Sequence, residues 1–421
     1  MEHRKQRNRR LRKEWIIYIS IAMMTILLNV LAWNSKAFCD AYIAYIFPIW
    51  VNTYGRITGI FPFSVGEWLI VAAVLLVAMA VVLGVLWVAA LIAGRMQKPV
   101  ALDDLFGQQN PTGLSKFEKV RKLVAGYYHF FVWVLLMVCV IMTLNCSILY
   151  HASTFSEKYF GDKAGGYTLE ECITLYNYVT TQCNRLSAQM ERDGQGNILY
   201  SGSVDKVGNI VDMEDKAREA MQKLGIKYDQ LDGWYPRPKA MFFSDMMCQQ
   251  YMCGYYFPFS MEANYNDVMY IMNKPASMCH ELAHLRGYIY EDEANFIGYL
   301  ACIESDDLLF QYSGYLSVWV YLNNDLYDAM VNEPKLYEAA IANVEPVGVL
   351  SSVIADNIFV EQKEWDRING KALVDTETMD EISDTFTDTT LKLNGVSDGM
   401  VSYSRVVELM LQYYRQVGFE E

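Results

Sequence analysis

Three runs of this 421-residue chain contain no Asp, Glu, Lys or Arg: Trp15 to Trp33, Trp68 to Ala93 and Tyr127 to Tyr150. Roughly 20 apolar residues is the length a helix needs to cross the hydrocarbon core, where every backbone polar group must be satisfied inside the segment itself. The chain is therefore expected to cross a bilayer three times. A basic cluster of Arg4, Lys5, Arg7, Arg9, Arg10, Arg12 and Lys13 precedes the first run, as it would in a cleaved secretory signal. The run exceeds the apolar region of a signal and no small-x-small site follows it cleanly, so it reads as an anchor.

The basic residues also orient the chain. Arg95, Lys98, Lys116, Lys119, Arg121 and Lys122 lie between the second and third runs, which places that loop and the N-terminus on the cytoplasmic side. The expected organisation is a basic cytoplasmic tail over 1–14, a membrane domain over 15–150 and an extracytoplasmic domain over 151–421. Charge follows the same division. Residues 1–150 carry 15 Lys and Arg against 7 Asp and Glu, and residues 151–421 carry 20 against 42. So acidic an outer domain repels nucleic acid and anionic lipid, which argues against polyanionic partners; the expected partners are the lipid bilayer that the spans cross and a peptide or protein substrate. Cys172, Cys183, Cys248, Cys253, Cys279 and Cys302 fall outside. Disulfides and free thiols are both open for them, because a domain of this size does not need staples to fold.

Asn34 to Glu67 is rich in aromatics (Phe38, Tyr42, Tyr45, Phe47, Trp50), with only Lys36, Asp40 and Arg56 charged before Glu67. It is expected to lie on the membrane surface or to pack under the outer domain. After Tyr150, Thr168 and Glu171 form a capping box ahead of Leu169, Ile173, Tyr176, Val179 and Leu186 at helical spacing. A glycine-rich loop from Gly194 to Gly208 follows, then a helix from Asp212 to Leu224 stopped by Gly225. Met241 to Phe243, Tyr255 to Phe257 and Val268 to Ile271 read as two or three strands. Beyond Pro275 the pattern is helical as far as an amphipathic helix near Val401 to Gln416. The fold class expected is an α+β membrane protein: three transmembrane helices, then a mainly helical domain with a small β-sheet. The Tyr255 to Asn266 stretch reads equally as an ordinary strand or as an edge strand able to hold an extended peptide.

The chemistry concentrates between Pro275 and Gly287. His280 and His284 stand four apart on one helical face and can reach one metal ion, with Glu281 beside the first as a general base. The plainer alternative is a pair of hydrogen-bonded core histidines. A catalytic zinc takes three protein ligands and leaves one position open. The other histidines are His3, His129 and His151, and none follows His284. The metzincin spacing is matched only as far as Gly287, since Tyr290 stands where its third histidine would, so a carboxylate is expected. Glu291, Asp292 and Glu293 open the next helix. Glu293 is favoured because it borders a small-residue face of Ala294, Ile297, Gly298 and Ala301, while Glu291 and Asp292 read as charges complementing the helix dipole. Glu304 is a more distant candidate, and Tyr290, Tyr299 and Tyr315 are candidate oxyanion donors.

Four stretches carry a resemblance: Tyr256-Phe-Pro-Phe-Ser-Met-Glu262-Ala-Asn264, His280-Glu-Leu-Ala-His284 with Gly287, Glu291-Asp-Glu293-Ala-Asn295-Phe296, and Tyr312-Ser-Gly-Tyr315. They resemble the bacterial membrane proteins grouped as domain of unknown function 3810, predicted zinc peptidases of the gluzincin type. The likeness covers nearly the whole chain in layout and is most specific from Pro236 to Leu326; Lys274-Pro275-Ala276 and Leu285 depart from it. It implies a zincin-like outer domain with Zn2+ on His280, His284 and Glu293 and with Glu281 as base, in a multi-pass protein of the bacterial cell membrane. The expected function is a membrane-anchored zinc metallopeptidase cutting peptide bonds outside the cytoplasm. A membrane sensor or binding protein with a silent metallopeptidase-like domain is the alternative, and intact Glu281 argues against it. A transporter is disfavoured by three spans without an internal charge.

Overall fold

A computed structural model describes residues 2–96, 116–161, 166–204, 210–394 and 405–419. Lys98, Gly208 and Val401 to Ser404 of the expected C-terminal helix lie outside the described residues. In chain order the principal helices are α1 (Glu2–Asn34), α2 (Lys36–Tyr45), α3 (Val65–Met96), α4 (Lys116–Met142), α5 (Leu169–Ser187) and α6 (Met213–Gly225). The strands are β1 (Ser203–Val204), β2 (Ile210–Val211), β3 (Lys239–Ala240), β4 (Gly254–Phe257) and β5 (Glu262–Tyr265). Then come α7 (Lys274–His284), α8 (Glu291–Ile303), α9 (Leu308–Asn332) and, after further helices, α10 (Val406–Val417).

Among the described residues, three helical stretches are long and apolar enough to cross a membrane: Lys13–Asn34, Val65–Ala89 and Arg121–His151. The chain divides into two compact units, one of Met1–Val30 with Gly66–Thr143 and one of Leu31–Val65 with Leu144–Glu421. The second unit thus takes in the 31–65 link and the end of the third span, beyond the boundary expected after residue 150. Within the first unit, polar side chains find partners on neighbouring helices, as groups removed from water must. Asn29 donates to the Thr143 hydroxyl at 2.8 Å, Tyr128 to the Ala80 carbonyl at 2.7 Å and Tyr127 to the Leu76 carbonyl, while Tyr18 and His129 pair at 3.0 Å.

In the second unit the Thr168 and Glu171 capping box forms in full and opens α5, whose Ile173, Leu175, Val179 and Leu186 are buried. α6 runs as far as Gly225, where a Cβ would stand 2.8 Å from the Leu231 carbonyl oxygen, so the glycine lets the following turn pack closely against the helix end. The three-stranded sheet has the order β3-β5-β4, with β5 parallel to β3 and antiparallel to β4, so β4 is an edge. Val268 to Ile271, expected as a strand, forms none: Met269 and Tyr270 are buried and lead into a 3-10 turn at Ile271–Asn273. Burial of a loop accounts for an apolar run that its spacing cannot tell from a strand. All nine cysteines are free thiols.

The core of this unit is the packing of α7 between α6, α8 and α9. Gly298 on α8 permits the closest approach: a Cβ there would lie 3.0 Å from the Ala276 carbonyl oxygen and 3.2 Å from the His280 nitrogen. Ala294, Ile297 and Ala301 flank it and are fully buried, so the small-residue face works as its spacing suggests.

Candidate metal centre

Pro275 sits in the first turn of α7, where its missing N–H costs nothing, and the helix ends at His284. Gly287 follows with φ of +87°, and a Cβ on it would stand 3.0 Å from Ile43. Conformation and space therefore both demand glycine. The turn that results returns the chain to α8 and brings the start of that helix alongside the end of α7.

His280, Glu281 and His284 each place a ligand atom within 4.8 Å of the others. The outer hydrogen bonds fix both imidazoles. His284 donates from Nδ1 to the Tyr288 carbonyl at 2.7 Å, and His280 Nδ1 meets the Asn295 side-chain oxygen at 2.8 Å. The Asn295 amide nitrogen donates to the Tyr321 hydroxyl at 3.0 Å, which leaves its oxygen facing the ring. With both Nδ1 atoms serving as donors, each neutral imidazole presents a lone pair at Nε2, and the two Nε2 atoms are 3.1 Å apart.

Glu291 completes this convergence. One of its carboxylate oxygens lies 3.1 Å from His280 Nε2 and the other 4.0 Å from His284 Nε2. Glu293 goes elsewhere: it is buried and accepts the Phe155 backbone N–H. The reason is helical phase. At about 100° per residue, two positions separate side chains by roughly 200°, so a helix that aims Glu291 at α7 must aim Glu293 away. Asn295, four residues after Glu291, shares its face. Asp292 is buried beside Arg405, at 3.3 Å, and Glu304 pairs with Lys227 at 2.7 Å. The structure thus brings His280, His284 and Glu291 together and leaves the expected Glu293 outside the cluster. Asn295 and Glu291 carried a signal in the sequence, an i, i+4 pair facing the i, i+4 pair of histidines.

Charge and burial act on the same groups. Burial lowers the His280 pKa, but hydrogen bonding and the charge of Glu291, with Glu281 adding, carry it up to about 9. Burial and the neighbouring His280 hold His284 down to about 4. Glu281 is pushed up to about 8, first by burial and then by Glu291, with His280 opposing. Glu281 accepts the backbone N–H of Tyr256, while its other oxygen is buried with no partner among the described residues. The edge strand β4 lies over this carboxylate. A Cβ on Gly254 would stand 2.5 Å from Glu281 Oε1, so the strand could not run this close with any other residue there.

The candidate oxyanion tyrosines are engaged elsewhere. Tyr290 donates to the Tyr150 carbonyl at 2.7 Å, Tyr299 pairs with Tyr414 at 2.5 Å and Tyr315 with Tyr178 at 3.2 Å. The ring of Tyr256, which spacing did not single out, packs 5.7 Å from that of His284.

Two imidazole lone pairs and a carboxylate aimed at one point repel each other, and a single proton can relieve only one contact. A divalent cation relieves all of them, and a nitrogen and oxygen donor set with one buried, unpartnered carboxylate oxygen beside it suits zinc. Comparison with curated proteins and with solved structures finds no match. The family model described as "Protein of unknown function (DUF3810)" matches residues 42–411. That span takes in the second and third candidate spans, the sheet and the whole histidine and carboxylate cluster, and the chain belongs to this family.

Proposed function

We propose that the chain is a membrane-anchored zinc metallopeptidase of zincin-like fold, with His280, His284 and Glu291 as metal ligands and Glu281 as general base. The observation that carries this reading is the convergence of two Nε2 lone pairs and a carboxylate beside the unpartnered oxygen of Glu281. A zinc ion held there would supply Lewis acidity and make water acidic enough to lose a proton near neutral pH.

The protein's own residues do the rest. Tyr288 and Asn295 hold the imidazoles in the tautomer that presents Nε2. Glu281 takes a proton from the attacking water and passes it to the leaving amine. β4 is an edge strand beside Glu281, and its backbone groups other than the Tyr256 N–H that Glu281 accepts offer pairing to an extended peptide, which would set the scissile bond across the centre. The Lys and Arg distribution supports a position outside the cytoplasm for this unit.

The experiment is to give the purified full-length protein a mixed peptide library with and without a chelator. Cleavage that stops on chelation and returns with added zinc is the expected result. Cleavage insensitive to the chelator, or none with zinc fully bound, would overturn the reading.

A further inference from the structure

The link from α2 to Val65 carries two apolar faces. Cys39, Ile43, Phe47, Val51, Gly55 and Thr58 recur at helical spacing and are buried. They pack against segments that flank the candidate centre in sequence: Ile43 fills the space a Cβ on Gly287 would take, Gly55 lies against the Met261 backbone, and Thr58 donates to the Ser260 carbonyl at 2.8 Å. The opposite face is equally apolar and is exposed among the described residues of this unit. Tyr45 is 76% exposed, Ile49 55%, Ile57 58% and Ile60 78%, with Phe61 and Phe63 also open.

Arg56 is the sole charged residue from Tyr45 to Phe63, and its guanidinium is drawn over the Trp234 ring at 4.4 Å. A contiguous surface of this kind is not left to water in a soluble domain. Its neighbours along the chain identify its cover. At one end the link continues from the helix that closes the span Lys13–Asn34, and at the other it enters the span Val65–Ala89. The third span, Arg121–His151, ends inside the same compact unit. There Asn145 donates to the Pro258 carbonyl at 2.9 Å and accepts from the Tyr256 hydroxyl at 3.0 Å.

We infer that the exposed face of residues 45–63 is a lipid-docking surface, lying in the interfacial layer of the bilayer and holding the candidate centre at the membrane surface. Three span ends in one unit fix the level of the lipid, and the aromatic and aliphatic side chains of this face match the boundary between headgroups and acyl chains. The centre is close to that level. Tyr256, whose hydroxyl bonds the third span, is the residue whose ring packs on His284, and Tyr290, next to Glu291, donates to Tyr150 at the end of that span.

The test uses the full chain in vesicles of phosphatidylethanolamine and phosphatidylglycerol. A benzophenone amino acid is placed in turn at Ile49, Ile57 or Ile60, and at Ile226, an 85% exposed control on another surface of the same unit. After irradiation, lipid adducts are expected at the first three positions at least fivefold above the control. In parallel, the unmodified chain is irradiated with a phospholipid carrying a diazirine near its ester carbonyl, which is expected to label residues 45–63. Crosslinks from Ile49, Ile57 and Ile60 to a second copy of the chain, or lipid adducts no more frequent than at Ile226, would overturn the inference. Neither readout depends on catalysis, so the result stands apart from the peptidase reading.

Discussion

Two buried polar clusters lie within the second unit, and they are built to opposite ends. Around Lys239 everything is satisfied. Its ammonium donates to the carbonyls of Thr58 at 2.8 Å and Phe63 at 3.0 Å and to the carboxylate of Glu262, which also accepts from Ser260 at 2.7 Å and from the Val65 backbone at 3.2 Å. Three donors meet three acceptors, and the cluster needs nothing from outside. Around His280 the outer nitrogens are equally well satisfied, but on the inner side two Nε2 atoms and the Glu291 carboxylate face one another, and one proton satisfies only one of those contacts. A buried cluster that completes itself is a fastening, here between the 31–65 link and the sheet. One that does not is, on the proposed reading, a receptacle.

The largest effect that separates the two should come from Glu281. Glu281→Gln is expected to lower peptide hydrolysis by a factor of about 10² to 10⁴ while the protein keeps its zinc, since general-base groups contribute on that scale. Measured turnover within threefold of the unsubstituted protein would remove the base assignment. Next in size is the fastening. Lys239→Met leaves Glu262 buried without its cation and should cost about 3 to 5 kcal/mol in denaturant unfolding, whereas pairing it with Glu262→Leu should recover much of that loss. The same double variant should bind zinc normally, because its cluster serves attachment only; a double variant no more stable than the single one would show that the pair is not the unit of attachment.

Zinc itself should stabilise the receptacle and not the fastening. At a free concentration a hundredfold above Kd, binding adds about 2.7 kcal/mol to the unfolding free energy. That gain should vanish in His284→Ala and persist in the Lys239 and Glu262 double variant, as thermal unfolding with and without zinc can establish. The smallest effect concerns substrate position. A peptide tethered to the vesicle surface should be cut several-fold faster than the same peptide free in solution, and equal rates at matched concentration would separate the position of the centre from the selection of its substrates.

Much of this was legible in the sequence, for reasons that differ from place to place. The three spans stand out because lipid tolerates no charge over roughly 20 residues, and the histidine pair because one metal needs two ligands on one helical face. The aromatic link reads equally as a membrane-surface segment and as one packed under the domain; its buried face packs against Gly287, Met261 and Ser260 of the same unit. The third carboxylate was obscured by adjacency. Glu291, Asp292 and Glu293 are consecutive, and which one faces α7 depends on the phase at which α8 begins, set by Tyr290 as the residue before its first turn. The small-residue face pointed to Gly298 correctly, yet the contact it makes is with the backbone of α7, and nearness to that face says little about which acid reaches the imidazoles. Asn145 and Tyr150 could not be anticipated beside the centre, because their contacts with Tyr256 and Tyr290 join residues more than a hundred positions apart.

The claim that the cluster around His280 is a metal receptacle closed by Glu291 is tested most directly by the zinc bound per chain in two purified full-length variants. Glu291→Gln should lose most of its zinc on dialysis against a weak chelator, while Glu293→Gln, altered only where Phe155 donates, should keep one ion per chain. Full retention in Glu291→Gln together with loss in Glu293→Gln would contradict the account.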